Sequence, residues 1–366
     1  MSGFLEKYSI ISTHQYGFVT VRGTINLLAE FLDILHSSFD NNMFVCALFI
    51  DVAKAFDSVN HNILLDKLYR VGFRGPFHAL LKSFLINRTQ IVSVGNVRSS
   101  LTFLTSGVRQ GSILSPLFFN IYVNDISTSI TTSKLFQYAD DTLIFPRHLV
   151  YERAIEMLQI DVTKIMDWFF ANKLRVNASK TKLVCIHSPL KNVSLTSQLF
   201  LHKSNCSCSN CTPVEYVSSV KYLGLHFDSD LSWNSHMSYI CQRLRTVSCL
   251  LYNIKSFLPL SIRKSIMHAL AYSTLRFGIS VFFNCPLFWH SRIDRTLKGT
   301  LKSVAYNTHI SSSASLFASL KLPCFHSLFL QTVIWRHFWE SEFKVSASPS
   351  RELRSVLRFQ SPRVRT

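Results

Sequence analysis

No stretch of this chain is both long and apolar enough to cross a bilayer. A spanning helix needs roughly 18–20 consecutive apolar residues, and the nearest approach, GISVFFNCPLFW at 278–289, stops short. The opening residues carry no signal-peptide pattern. Nine cysteines, an odd and mostly scattered set, make no secreted disulfide framework. The expectation is an intracellular, reducing compartment, nucleus or cytoplasm, with no membrane partner. No Gly-rich loop of the P-loop or dinucleotide type is present, and none of the 14 His stands near a nucleophile elbow. No internal repeat is found. Acids are scarce, 21 Asp and Glu against 39 Lys and Arg.

What is present is apolar and basic. At 48% hydrophobic, with 30 Phe, the chain can bury a sizeable core, and its net charge of +18 suits a polyanionic partner. The charge is uneven. From Leu231 onward 18 Lys and Arg face four acids (Asp294, Glu340, Glu342, Glu352), so the first 230 residues hold nearly all the acids. One region is suited to gripping phosphates and another to chemistry.

Periodicity predicts helices over 22–40, 60–70 with an Asn60 cap, and 76–86 opened by a proline. It also predicts a long amphipathic helix over 151–170. The run MFVCALFI at 43–50 reads as a buried strand ending in Asp51. A hairpin is expected at 90–104 with Gly95-Asn96 at its turn. Ser115 is expected to cap a helix whose first position is Pro116. KLFQY and TLIF predict a second hairpin with Asp140 and Asp141 at its tip. Strands follow at 181–187 and 219–228, then helices at 236–253, 261–277 and 291–308.

Two adjacent acids between apolar strands are costly unless compensated. If the strand ending in Asp51 neighbours that hairpin, three carboxylates converge at one sheet edge. Hard divalent cations take such oxygen ligands, and two of them can clamp a phosphoryl transfer. A solvated turn is the bland alternative.

FIDVAKAFDSVNH (49–61), GVRQGSILSPLFFNIYVNDI (107–126) and FQYADDTLIF (136–145) occur in this order. Together they resemble the reverse transcriptases of non-LTR (LINE-type) retrotransposons. HQYGFVTVRGT (14–24), GFRGPFHALLKSFLINRTQIV (72–92), NKLRVNASKTK (172–182), VKYLGLHFDSDLSWNSHM (220–237) and LPLSIRKSIMHALAYSTLRFGISVF (258–282) extend the resemblance over about residues 10–285.

The resemblance implies an α+β right-hand polymerase fold: palm and fingers with an antiparallel palm sheet, followed by an all-helical thumb. Partial fingers are expected at 1–44 and the first acidic strand of the palm at 45–60. Fingers and palm helices and a hairpin follow at 61–104, then palm at 105–230. The helical thumb and C-terminal helices cover 231–345, and a basic tail, expected to be disordered, covers 346–366. The implied reaction is RNA-templated DNA synthesis with an RNA template, a DNA primer and dNTPs as partners. Two Mg²⁺ ions, with Mn²⁺ as the alternative, would be held by Asp51, Asp140 and the more peripheral Asp141, with the Val52 carbonyl as a further oxygen.

By the same resemblance Phe56 excludes a ribose 2′-OH, although core packing is an equal reading by position. Gln110 and Gly111 line the nucleotide pocket and contact the template. Arg109 stands where the family often has Pro. Tyr138 supports the hairpin near the primer terminus, with a half-buried strand tyrosine as the alternative. Lys180 is matched to the lysine that protonates the leaving pyrophosphate, with Lys182 as rival and an exposed surface lysine as an equal reading. Tyr222, Leu223 and Gly224 match the primer-grip turn. Arg243, Arg245, Arg263, Lys264 and Arg276 would follow the nucleic-acid backbone, with a solvated helix face as the alternative for any one of them. Asp57 reads as structural, and Arg22 as either a phosphate contact or a surface arginine.

The group HKSNCSCSNC (202–211), with His202, Cys206, Cys208 and Cys211, leaves open a zinc site or an unstructured insertion. Relatives carry more chain upstream, including an arginine motif for the triphosphate and an endonuclease. The expectation is therefore an N-terminally truncated copy, either an active polymerase module or an inactive remnant. An unrelated basic RNA-binding protein is a third reading.

Overall fold

The computed structural model describes residues 1–191, 197–204, 206, 211–306 and 313–343. Two compact units part between Val220 and Lys221.

The first unit is built on a six-stranded sheet. Strand β1 (Phe44–Ile50) lies inside it, buried at every position. Beside it runs the hairpin of β2 (Lys134–Tyr138) and β3 (Asp141–Phe145). Strands β4 (Arg147–His148), β5 (Lys182–Ile186) and β6 (Glu215–Tyr216) complete the sheet. The order is β6-β5-β1-β3-β2, with β4 also on β1, and only the β5–β6 pair is parallel.

A strand buried on both faces reads as a continuous apolar run rather than an alternating one, which is why FVCALFI shows no polar position. Its two faces serve different helices. Phe49, Phe136 and Phe145 meet Phe31 of helix α1 (Thr24–Asp40), with ring centroids 5.1–6.5 Å apart. Phe44, Cys46, Leu48 and Ile50 share the opposite core with residues of four later helices, among them Leu64, Leu81, Phe118 and Leu158. Helix α2 (His61–Val71) starts where expected, with Asn60 Oδ1 accepting from Ile63 N–H at 3.2 Å. Helix α3 (Gly75–Leu85) carries its proline in the first turn. The 90–104 region forms two short antiparallel ladders, Arg88–Gln90 with Thr102–Leu104 and Ser93–Val94 with Val97–Arg98, around Gly95-Asn96.

Helix α4 (Leu114–Val123) corrects one expectation. Ser115 is not its cap. The helix starts two residues before the expected Pro116, at Leu114, and the Ser115 hydroxyl turns back to donate to the Arg109 carbonyl at 2.5 Å. Helix α5 (Tyr151–Ala171) buries Ile155, Leu158, Val162, Ile165 and Phe169, the predicted stripe.

The second unit is helical. The segment 219–228 is a hairpin rather than one strand, Ser219–Tyr222 with Leu225–Asp228. Helix α6 (Asn234–Ile254) buries Met237, Ile240, Leu244, Val247 and Leu251, and packs along α7 (Leu287–Ala305), which buries Ile293, Leu297, Leu301 and Val304. Trp289 Nε1–H donates to Asn234 Oδ1 at 2.8 Å, tying their starts together.

The helix predicted over 261–277 is interrupted. An α segment (Leu260–Ile266) passes into π-helix (Met267–Tyr272) and back to α (Ser273–Arg276). A π turn carries an extra residue, so Met267 and Tyr272, five apart, are both buried. Two further helices span Ser313–Leu320 and Phe325–Phe343. The basic tail lies outside the described residues.

Candidate active site

The register of β1 on β3 brings the three acids together. Leu48, Phe49 and Ile50 pair with Ile144, Leu143 and Thr142. One antiparallel step further lies Asp51 beside Asp141. On the other side of β3, Tyr138 pairs with Asp141, so Ala139 and Asp140 form a two-residue turn. Ala139 adopts φ +55°, in the left-handed region.

Electrostatics agrees with this placement. Desolvation, partly offset by a backbone hydrogen bond, and then the Asp51 charge push the Asp140 carboxyl above its usual range. Desolvation, then the charges of Asp140 and Asp51, push Asp141 up to about 6. Asp51 is thus close enough to act on both members of the pair, as like charges sharing a site do.

The chain segment before β5 holds Asp51 from the far side. Asn177 N–H donates to the Asp51 carbonyl at 2.8 Å, and Ala53 N–H donates to the Arg175 carbonyl at 2.8 Å. The bridge between Val52 and Val176 therefore uses the carbonyl of Asp51 and not that of Val52. The two lysine candidates separate here. Lys182 is ion-paired with Glu215, whereas Lys180 is exposed on the turn beside Thr181.

Phe56 lies in a short 3-10 turn, its ring stacked on Phe119 at 4.6 Å. Val108 N–H donates to the Phe56 carbonyl at 2.9 Å, which seats the 107–111 loop on this turn. Gln110 Nε2 donates to Asp57 Oδ1 at 3.0 Å, so Asp57 orients the glutamine. Gly111 has φ +78°, and a Cβ there would meet nothing within 4 Å. Its requirement is the left-handed backbone, and the space before it is open. Arg109 is exposed. Arg22 is spent on the protein itself, with Nη1 donating to the carbonyls of Ser12, Thr13 and Gln15 at 3.0–3.1 Å.

In the second unit, Tyr222 is buried at the end of its strand, and Leu223 (φ +45°) and Gly224 (φ +90°) make the hairpin turn. Arg243, Arg245 and Arg276 are exposed and Lys264 is partly so. Arg263 differs from expectation. It is 7% exposed, with Nε and Nη1 unpartnered, because it falls on the inward face shared with Met267. A side chain placed there is not presented to a phosphate backbone.

Oxygen is the only donor type at the acidic tip. That fits a hard divalent cation, which is satisfied by one or two carboxylates plus phosphate and water. Desolvation, and with it the repulsion from neighbouring acids, raises Asp140 and Asp141, and a cation would relieve that repulsion. As they stand, no three His, Cys, Asp or Glu among the described residues are gathered tightly enough to hold a metal ion. This applies also to His202, Cys206 and Cys211, the described members of the cysteine-rich group. Cys206 and Cys211 have sulfurs 3.9 Å apart, His202 Nε2 meets the Thr163 hydroxyl at 3.2 Å, and Cys208 lies outside the described residues.

Contacts around residues 12–17 were not foreseen. Gln15, Gly17 and Asn120 converge on the Ala139–Asp140 turn from distant parts of the sequence. Their sequence signals are only the motifs that hold them, HQYGF for Gln15 and Gly17 and GVRQGSILSPLFFNIYVNDI for Asn120.

The family described as reverse transcriptase (RNA-dependent DNA polymerase) matches residues 1–227. The probable RNA-directed DNA polymerase from transposon BS of Drosophila melanogaster is 28% identical over 335 residues, 88% of this chain and 36% of that protein. The RNA-directed DNA polymerase from mobile element jockey of the same organism is 28% identical over 246 residues, 64% of this chain and 25% of that protein. The chain thus spans about a third or less of the curated relatives it matches. Telomerase from Candida tropicalis, solved with a fragment of telomeric RNA, aligns over 98% of this chain and 55% of its own at 12% identity, with a TM-score of 0.45.

Proposed function

Because the chain belongs to the reverse transcriptase family, on its non-LTR retrotransposon branch, we propose that it is an RNA-directed DNA polymerase module joining dNTPs to a primer 3′-OH on an RNA template. The observation that carries this reading is the β1–β3 register, which sets Asp51 against the Asp140–Asp141 turn.

In this proposal the first unit supplies palm and part of the fingers, and the helical unit supplies the thumb. Asp51 and Asp140 hold two magnesium ions most directly, with Asp141 and the Val52 carbonyl as outer oxygens and manganese as the alternative ion. Such ions supply charge neutralisation on the triphosphate and a more acidic attacking hydroxyl. The protein's own groups do the rest. Phe56, fixed by Phe119, fills the volume a 2′-OH would need. Gln110, oriented by Asp57, and Gly111, with open space before it, take the nascent base pair. Lys180, exposed and not engaged by Glu215, donates a proton toward departing pyrophosphate. Tyr138 backs the turn, and Tyr222, Leu223 and Gly224 hold the primer end. Arg243, Arg245, Lys264 and Arg276 follow the duplex backbone, and Arg263 is withdrawn from that role. The family membership sets aside an unrelated basic RNA-binding protein.

Primer extension tests the reading. The full chain should extend a DNA primer on an RNA template with Mg²⁺, and Asp140→Asn should lower the rate by at least ~100-fold, more than an outer-sphere change does. Duplex binding without extension, the same in both proteins, would identify an inactive remnant instead.

A further inference from the structure

The sheet ends at β2, and an edge strand offers unpaired backbone groups. Residues 12–17 cover that edge at one point. Gln15 bridges Gln137 in parallel, with Gln137 N–H donating to the His14 carbonyl at 2.9 Å and Tyr16 N–H to the Gln137 carbonyl at 2.8 Å. Beyond the bridge the side chain of Gln15, only 1% exposed, reaches the turn. Its Oε1 accepts from Gly17 N–H at 2.8 Å and from Ala139 N–H at 3.0 Å.

Gly17 is in close backbone contact. A Cβ there would fall 2.4 Å from the Ala139 nitrogen and 3.0 Å from the Tyr138 carbonyl carbon. Asn120 Nδ2 fixes the Gly17 carbonyl from α4 at 2.8 Å. The strap is moored at its other end by Asn124, which accepts from Ser12 N–H at 2.7 Å and donates to the Ile10 carbonyl at 2.8 Å. Ala139 needs this support. A left-handed alanine is disfavoured on its own, and its buried N–H must find an acceptor.

We propose that Gln15 and Gly17 are positioning residues, a clamp that fixes the Ala139–Asp140 turn and so sets where the Asp140 carboxylate stands. Its consequence for metal rests on the polymerase reading; the clamp itself does not.

The test uses the full chain with Gln15→Met, Gln15→Glu and Gly17→Ala. Two quantities are measured: amide hydrogen exchange at Ala139 without metal, and Mn²⁺ affinity from the electron paramagnetic resonance of the free ion. Gln15→Met should speed Ala139 exchange by ~10-fold or more, since a lost acceptor frees the donor, while β1 and β5 stay protected. It should also weaken Mn²⁺ binding by about 10-fold, as loss of an orienting partner does. Gln15→Glu keeps the acceptor and should keep the protection, and its added negative charge near Asp140 should leave Mn²⁺ binding no weaker than in the parent. Gly17→Ala should behave like Gln15→Met; should it not fold, the two Gln15 variants decide. Unchanged Ala139 exchange in Gln15→Met overturns the clamp, and faster exchange with unchanged Mn²⁺ affinity overturns its control of the Asp140 carboxylate. A parent chain that binds no Mn²⁺, with the turn still released by Gln15→Met, supports the clamp and counts against the metal reading.

Discussion

Phe56 is held by a stacked partner, and that rigidity is what a steric filter needs. A ring free to swing would admit the extra hydroxyl, whereas one stacked on Phe119 at 4.6 Å has little room to yield. In an active chain, Phe56→Ala should lower the preference for dNTP over NTP, as the ratio of kcat/KM values, by at least about 10-fold. Unchanged sugar selectivity would return Phe56 to the core. The same scale shows what a sequence discloses about single residues. Asp51, Asp140 and Asp141 were legible because each interrupts or ends an apolar run, where a charge needs a reason. Arg263 was not, because a short helix with an internal π turn shifts the phase that decides which side faces inward. Gln15 was legible only as part of a motif. Its partner at Ala139 is 124 positions away, and no local pattern encodes that contact.

At the scale of elements, Asp161 shows how a buried acid can hold a turn. It sits on α5, fully buried, and collects the backbone N–H groups of Thr131, Thr132 and Ser133 at 2.7–3.1 Å and the hydroxyls of Thr131 and Thr132. Burial alone would raise its pKa, but these donors outweigh it and the carboxyl is held below the usual range. The turn they fix leads directly into β2, so Asp161 sets the start of the hairpin whose far end carries Asp140. A group depressed in the folded state contributes stability that is fully present above its unfolded pKa, near 3.9, and is lost as pH falls through the folded value. Urea unfolding from about pH 2 to pH 7 should show this acid limb in the parent chain and a flatter one in Asp161→Asn. At neutral pH the substitution should cost about 1–3 kcal/mol. Equal acid limbs in the two proteins would show that Asp161 is not the group responsible.

Elements were legible where period or length decided. The stripe of α5 repeats at helical spacing, whereas the run 43–50 has no period and reads as a buried strand because it is short and wholly apolar. Ser115 misled because a serine before a proline suits a cap, yet its hydroxyl also reaches a carbonyl in the preceding loop. The π segment was invisible because its i→i+5 spacing differs from helical spacing by one residue.

On the scale of the whole molecule, charge is the dominant feature. The residues from Leu231 onward carry most of the +18, while the acids collect in the first 230 residues. The sequence shows this division of charge, but not which cations stand outside. Arg243 and Arg245 are exposed on α6, so they are available to phosphates in a way Arg263 is not. Binding carried by such contacts releases counterions, and log K falls with log salt by about 0.9 per phosphate neutralised on B-form duplex. Replacing both arginines with glutamine should therefore weaken binding to any duplex sequence alike and flatten that slope by about 2, roughly one per arginine. Titrating template–primer duplex across a range of salt concentrations measures both quantities. A slope that does not change would mean these two side chains face solvent and not nucleic acid. The grip would then belong to other cations, such as Arg276 or Lys264, whose removal should shift the slope in their place.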